Sequence, residues 1–288
     1  MRLRVVVLVS IPLLGCASLI GANFDDASVR EGDAADEEPL GLPDVHVSPD
    51  ANDAGPPFDP SSLPNLSFWI DATYGVDLAD GGPAVAVWHD RSGKGRDAVP
   101  AGGGTQAPTL VAASLNGKPV VHFTALHPDL LRSSWTGPDG PDLTLFLVAR
   151  GYPQSALRFQ TNAGAFPFVI FPLDLGAESF RLDVGTTYPD YTDLQTLFDG
   201  GATVLGATWR GDGIATTYRD GVIVEQKIVN PALPSGQTLY IGGIMPLTSS
   251  ASYCDGDVAE AIVYASALDD AARRAVEKYL FEKWAIGP

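Results

Sequence analysis

The chain is short of basic residues, of cysteine and of long apolar runs. Lysine and arginine number 18 against 35 acids, a formal net charge of −17. Nucleic acid is held by Lys and Arg that neutralise phosphates, so this balance argues against such a partner. It argues equally against an anionic membrane surface. The longest early apolar run, Val5 to Leu14, is too short to span a bilayer, which takes about 20 apolar residues. Histidine is scarce as well: His46, His89, His122 and His127. Their spacing fits no zinc pattern. No G-x-S-x-G elbow is present. No nucleophile paired with a base is legible, and the expectation is of a chain that is not an enzyme.

What is present divides the chain. Arg2 and Arg4 precede the short apolar run, and Gly15 precedes Cys16. This is the layout of a secretory signal. Leu13-Leu14-Gly15-Cys16 resembles the bacterial lipobox, which implies lipidation of Cys16 and anchoring through several acyl chains. Residues 1–16 are then a signal peptide. The resemblance implies a cell-envelope address, leaning to the outer membrane because no aspartate follows the cysteine. Between residues 17 and 60 there are eleven acids and one base, Arg30. Residues 17–62, rich in Pro, Gly and acid, cannot bury enough apolar area to order themselves and read as an extended tether.

From Leu63 the pattern changes, and residues 63–288 read as one domain. Runs of four to eight β-branched and aromatic residues alternate with Gly, Pro and Asp, the signature of strands. They include LSFWI (66–70), KPVVHF (118–123), LTLFLVAR (143–150), FPFVIF (166–171), SFRLDV (179–184), ATVLGATWR (202–210) and DVAEAIVY (257–264). Hairpins are expected at Gly211-Asp212-Gly213 and at Asp220-Gly221. LTLFLVAR is apolar on both faces, as a central strand is. Only residues 266–284 show a helical period, with Ser266 in the capping position and an apolar stripe through Val276, Leu280 and Trp284. The fold class expected is all-β, a two-sheet antiparallel sandwich with one C-terminal helix packed on it.

The segments 63–76, 85–100, 116–123, 143–150, 218–224 and 256–284 resemble a bacterial laminin-G-like jelly roll of the concanavalin A-like lectin/glucanase superfamily. The shared features are the W-x-D-A opening, the W-x-D-x-S-G-x-G-x-x-A turn and the final strand and helix. The resemblance implies a jelly-roll sandwich that binds a glycan or a surface protein. Three functions follow: glycan or partner binding without catalysis, an adhesive lipoprotein recognising protein, and a glycoside hydrolase using Asp257 and Glu260. Glucanases of the superfamily carry Glu-x-Asp-x-x-Glu; this chain has Asp255-Gly-Asp257-Val-Ala-Glu260. On a regular strand positions 255 and 260 face opposite ways, and only a bulge unites them. Aromatic faces stack on sugars, and Trp135, Tyr152, Tyr188 and Tyr191 lie in loop-like surroundings as candidate contacts. Asp90 and Asp97 are weak candidates for Ca²⁺, the one cofactor considered. With Cys16 lipidated, Cys254 is expected as a lone, sheltered thiol.

Overall fold

A computed structural model describes residues 57–102, 105–124, 126, 129–152, 156–160, 169–171, 201–228, 236–243 and 253–287. Cys16, His46, His127, Tyr188, Tyr191 and the SFRLDV segment lie outside the described residues. The chain divides into Met1–Asp53 and Ala54–Pro288, and the described residues all belong to the second unit.

Two antiparallel sheets and one helix make up the described part of that unit. In chain order the strands are β1 (Leu66–Asp71), β2 (Val76–Leu78), β3 (Val85–Trp88), β4 (Ala98–Pro100) and β5 (Thr109–Leu115). Next come β6 (Lys118–Phe123), β7 (Leu131–Gly137), β8 (Leu143–Tyr152), β9 (Leu157–Gln160) and β10 (Val169–Phe171). The series ends with β11 (Ala202–Trp209), β12 (Ile214–Arg219), β13 (Val222–Ile228), β14 (Gln237–Ile241) and β15 (Asp255–Tyr264), followed by α1 (Asp270–Trp284). The first sheet runs β13-β12-β11-β8-β15-β6-β5, with β1 also paired to β15. The second runs β10-β9-β14-β7-β4-β3-β2. This is the all-β sandwich expected, and it is consistent with a jelly roll.

Both hairpin turns form where glycine and aspartate allow them. Asp220 and Gly221 take φ of 48° and 80°, the pair of positive values that a two-residue hairpin turn requires. In the other, the amide of Gly213 donates to Arg210 O at 2.8 Å. β8 lies between β11 and β15, and residues 143–149 are buried, as its apolar faces predict.

β7 corrects the sequence reading. Trp135 was read in loop-like surroundings, yet LRSSWTG around it is a strand whose burial alternates strictly. Its small polar residues, Ser and Thr, carry weak strand signals, while Leu131, Ser133 and Trp135 turn inward. Trp135, expected as a surface contact, is 3% exposed and stacks on Phe68 of β1 at 5.9 Å between ring centroids. Its Nε1 donates to Asp139 at 3.1 Å. It belongs to the core, where the two sheets meet.

The outer face of the first sheet is covered by α1. One cross-strand row reads Trp69, Ile262, Phe146, Gly206 and Tyr218. A Cβ on Gly206 would come within 3.8 Å of Glu277 in α1, which places this row beneath the helix. Val276, Leu280 and Trp284, four residues apart, are at most 1% exposed. Burial of each side chain of this kind stabilises the fold by about 1.5–3 kcal/mol. The cap is Asp269 and not Ser266: its side chain accepts from the amide of Ala272 at 2.8 Å. Within the helix Arg273 pairs with Glu277 at 2.5 Å in a buried contact. At the other end Asn116, in the β5–β6 turn, donates from Nδ2 to the carbonyl of Trp284 at 2.6 Å. That bond satisfies one of the carbonyls a helix leaves unpaired.

Candidate functional site

β15 carries three acids, and its backbone decides what they can do. Its pairing with β8 slips between Val258 and Glu260: Asp257 faces Arg150, Val258 faces Ala149, and Glu260 faces Val148. This is a β-bulge, two residues opposite one. Arg150 and Val148 are two apart and share a face. Asp257 and Glu260 therefore share the face that α1 covers, about 7 Å apart along the strand. The condition the sequence set for uniting the acids is met for this pair.

Glu260 is fully buried. Trp69 Nε1 donates to its Oε1 at 2.6 Å and Tyr279 hydroxyl at 3.0 Å. Trp284 Nε1 donates to Oε2 at 2.7 Å, and Lys283 Nζ lies 2.7 Å from the same oxygen. Lys283 also donates to Asp71 Oδ2 at 2.5 Å, as does Arg91 Nη1. Thr73 donates to Asp71 Oδ1 from its amide and its hydroxyl. Two buried acids thus share one ammonium, and their ionisation splits. Burial pushes Glu260 up, with Asp71 adding to the rise against the pull of Lys283. Burial also works against Asp71, but Lys283 and the Thr73 donors hold its carboxyl below the usual range. The network fastens α1 and β1 to β15.

Asp257 lies at the half-open end of the same face. Its Oδ1 is 2.8 Å from His122 Nδ1 on β6. Its Oδ2 accepts from Arg150 Nε on β8 at 2.9 Å and also from Nη2. Arg150 reaches on to Ser114, with Nη2 2.7 Å from its Oγ. The carboxyl is 9% exposed, but Arg150 and His122 side chains are 34% and 43% exposed. A carboxylate only accepts, so Nδ1 of His122 is the donor in this contact, and Nε2 is the ring nitrogen left for another partner. Guanidinium donors, carboxylate and imidazole stand side by side with solvent beyond them.

Other residues singled out in the sequence are now placed. Backbone register sets Tyr152 opposite Asp255, two residues beyond Arg150. Asp90 accepts from the amides of Trp69, Ser92 and Arg96 and from the Ser92 hydroxyl. Asp97 accepts from the Asp90 amide at 2.9 Å and sits 3.0 Å from His89 Nδ1. The oxygens weighed as calcium ligands are thus taken up in organising a turn. Among the described residues no group of three or more His, Cys, Asp or Glu side chains is gathered for a metal ion. Cys254 is buried and free, and burial, with Asp255, Asp257 and Asp129 nearby, pushes its thiol well up.

His122, Arg150 and Ser114 were missed by sequence reasoning. A partial signal existed: three apolar runs carry an ionisable residue at or next to one end, His122, Arg150 and Asp257. Which strands adjoin was needed to bring them together.

No family model and no curated protein matches the sequence. Solved structures do match in fold. Domain 4 of an extracellular GH43 arabinanase from Geobacillus stearothermophilus, in complex with arabinotriose, superposes with a TM-score of 0.54 at 11% identity. The match covers 75% of this chain and 98% of that domain. A mutant Trypanosoma rangeli sialidase displaying trans-sialidase activity matches at a TM-score of 0.51 and 14% identity, over 78% of this chain and 34% of the sialidase. The chain therefore spans about a third of the sialidases it resembles. At these identities the likeness is one of fold. It nevertheless overturns the expectation of a chain that is not an enzyme, because the similar folds belong to a sialidase and an arabinanase. The sandwich is one that glycoside hydrolases carry.

Proposed function

We propose that the sandwich binds a glycan, with Arg150, Asp257 and His122 among its contacts. The observation that carries this reading is the half-open Asp257 cluster. Vicinal sugar hydroxyls ask for donors and acceptors at fixed spacing, and a guanidinium, a carboxylate and an oriented imidazole provide them. The arabinanase domain, matched over nearly its whole length, was solved with arabinotriose. The test is calorimetric titration of the full chain with arabinotriose and with a panel of neutral and acidic oligosaccharides. Binding that weakens about tenfold in His122→Ala supports the reading, a loss of ~1.4 kcal/mol. Equal binding by the variant removes the cluster from it.

The bulge favours a second reading, hydrolysis of the glycan on the same strand. An inverting pair needs its carboxyls roughly 6.5–9.5 Å apart, and Asp257 and Glu260 now share a face. Asp257 is 7% exposed behind part-exposed Arg150 and His122, whereas Glu260 is fully covered, so hydrolysis requires both acids to be uncovered, Glu260 the more. Reducing sugar released by the wild type and lost in Asp257→Asn selects this reading.

We further propose that a lipid on Cys16 and the tether 17–62 display the domain at the cell envelope. Radiolabelled palmitate incorporated by the wild type and absent from Cys16→Ala supports the anchor; equal labelling refutes it.

A further inference from the structure

We infer that Tyr74, in the turn between β1 and β2, is a stacking platform for a sugar ring. This contact is built by strands other than β6 and β8, and it rests on the glycan reading above. Tyr74 is 54% exposed. Its ring is nonetheless held in place. The Arg91 guanidinium carbon lies 4.8 Å from the Tyr74 ring centroid and 3.8 Å from that of Trp69. Trp69 and Tyr74 thus share one guanidinium, and Tyr74 is the ring that reaches solvent. Arg91 is pinned, because it also donates to buried Asp71 and its amide donates to Trp69 O at 2.7 Å.

The turn that carries the ring is equally fixed. The amide of Tyr74 donates to Asp71 O at 2.9 Å, and that of His89 to Gly75 O at 2.8 Å. Gly75 has φ of +62°, and an added Cβ would sit 3.0 Å from His89 Cβ. A ring that served only to cover Arg91 would gain by sinking onto it. This one keeps over half its surface in water and gives up its freedom before any ligand arrives. Such pre-ordering lowers the cost of binding. The neighbouring groups suit hydroxyls: His89 Nε2 and Asp77 Oδ2 are 3.0 Å apart, with side chains 39% and 66% exposed. A flat apolar face beside polar, half-open groups matches a pyranose or furanose ring, with carbon-bound hydrogens on its face and hydroxyls at its edge.

The experiment is affinity electrophoresis of the full chain through native gels cast with arabinan, xylan or mixed-linkage β-glucan. The wild type is expected to be retarded in at least one gel. Tyr74→Ala should weaken that binding about tenfold, while Tyr74→Phe stays within about twofold. Tyr74→Leu keeps bulk over Arg91 without a flat face and should fail as alanine does, with a melting temperature within about 3 °C of the wild type. Retardation of the alanine and leucine variants equal to wild type overturns the platform and leaves the glycan reading standing. A wild type retarded in none of the gels overturns both.

Discussion

Asp257 and Glu260 are three residues apart on one strand, and both face α1. Each is bonded to a cation, Asp257 to Arg150 and Glu260 to Lys283. One is sealed by two indoles, a phenol and an ammonium; the other is flanked by side chains that water reaches. The difference is where the helix ends. Trp284 and Lys283, in its last turn, cap Glu260, and Asp257 lies under none of the α1 side chains that do so. Chemistry and spacing are nearly shared between the two acids. Coverage makes one a fastening and leaves the other beside groups that water reaches.

Removing the sealed acid should have the largest effect. Glu260→Ala leaves two indole N–H groups, a hydroxyl and part of an ammonium buried without an acceptor. A loss of about 3–5 kcal/mol is expected, read from urea unfolding. A loss under about 1 kcal/mol would erase the distinction between the two sites. Asp257→Asn should cost less, about 1–2 kcal/mol, since Arg150 can turn to water. Its main effect should be on glycan affinity. His122→Ala should change stability by no more than about 0.5 kcal/mol, so that any loss of binding reports contact and not folding.

The smallest effect concerns pH. His89, at the end of β3, is a control for His122 because it lies between two carboxylates. Hydrogen bonds to Asp77, then to Asp97, raise its pKa above the ordinary 6.5. The folded state therefore binds the proton more tightly than the unfolded chain. The resulting stability is fully present below about pH 6.5 and is lost as pH rises through the raised value. Melting temperature measured against pH should fall across that window in the wild type and stay flatter in His89→Gln. Parallel curves would show that the two carboxylates do not act on His89.

The strands that bury branched and aromatic residues were legible because their pattern is local. LTLFLVAR names a central strand from its own residues, and β8 proves to be one. β7 was not legible, since its outward Arg, Ser and Thr resemble a loop and only the opposite sheet reveals the inward row. Trp135 was misplaced for that reason. The fastening was unreadable in principle. Trp69 and Glu260 are 191 residues apart, and Asp71 and Lys283 are 212 apart. The bulge that turns Asp257 and Glu260 to one side leaves no mark in the sequence. The turn that Asp90 organises is local by contrast, since its partners Ser92 and Arg96 are neighbours in the chain.

β15 stands between β8 and the pair β1 and β6. Glu260 of β15 comes 191 positions after Trp69 of β1. A ribosome making this protein releases β1 long before its partner exists. Ordering of the sheet's middle must wait for residues 255–264, and closing so long a loop slows folding. Truncation before β15 would remove the strand to which β1, β6 and β8 are all joined, splitting the first sheet into β13-β12-β11-β8, the β6–β5 hairpin and an unpaired β1. The middle of the first sheet is held open by its own topology until β15 has been made.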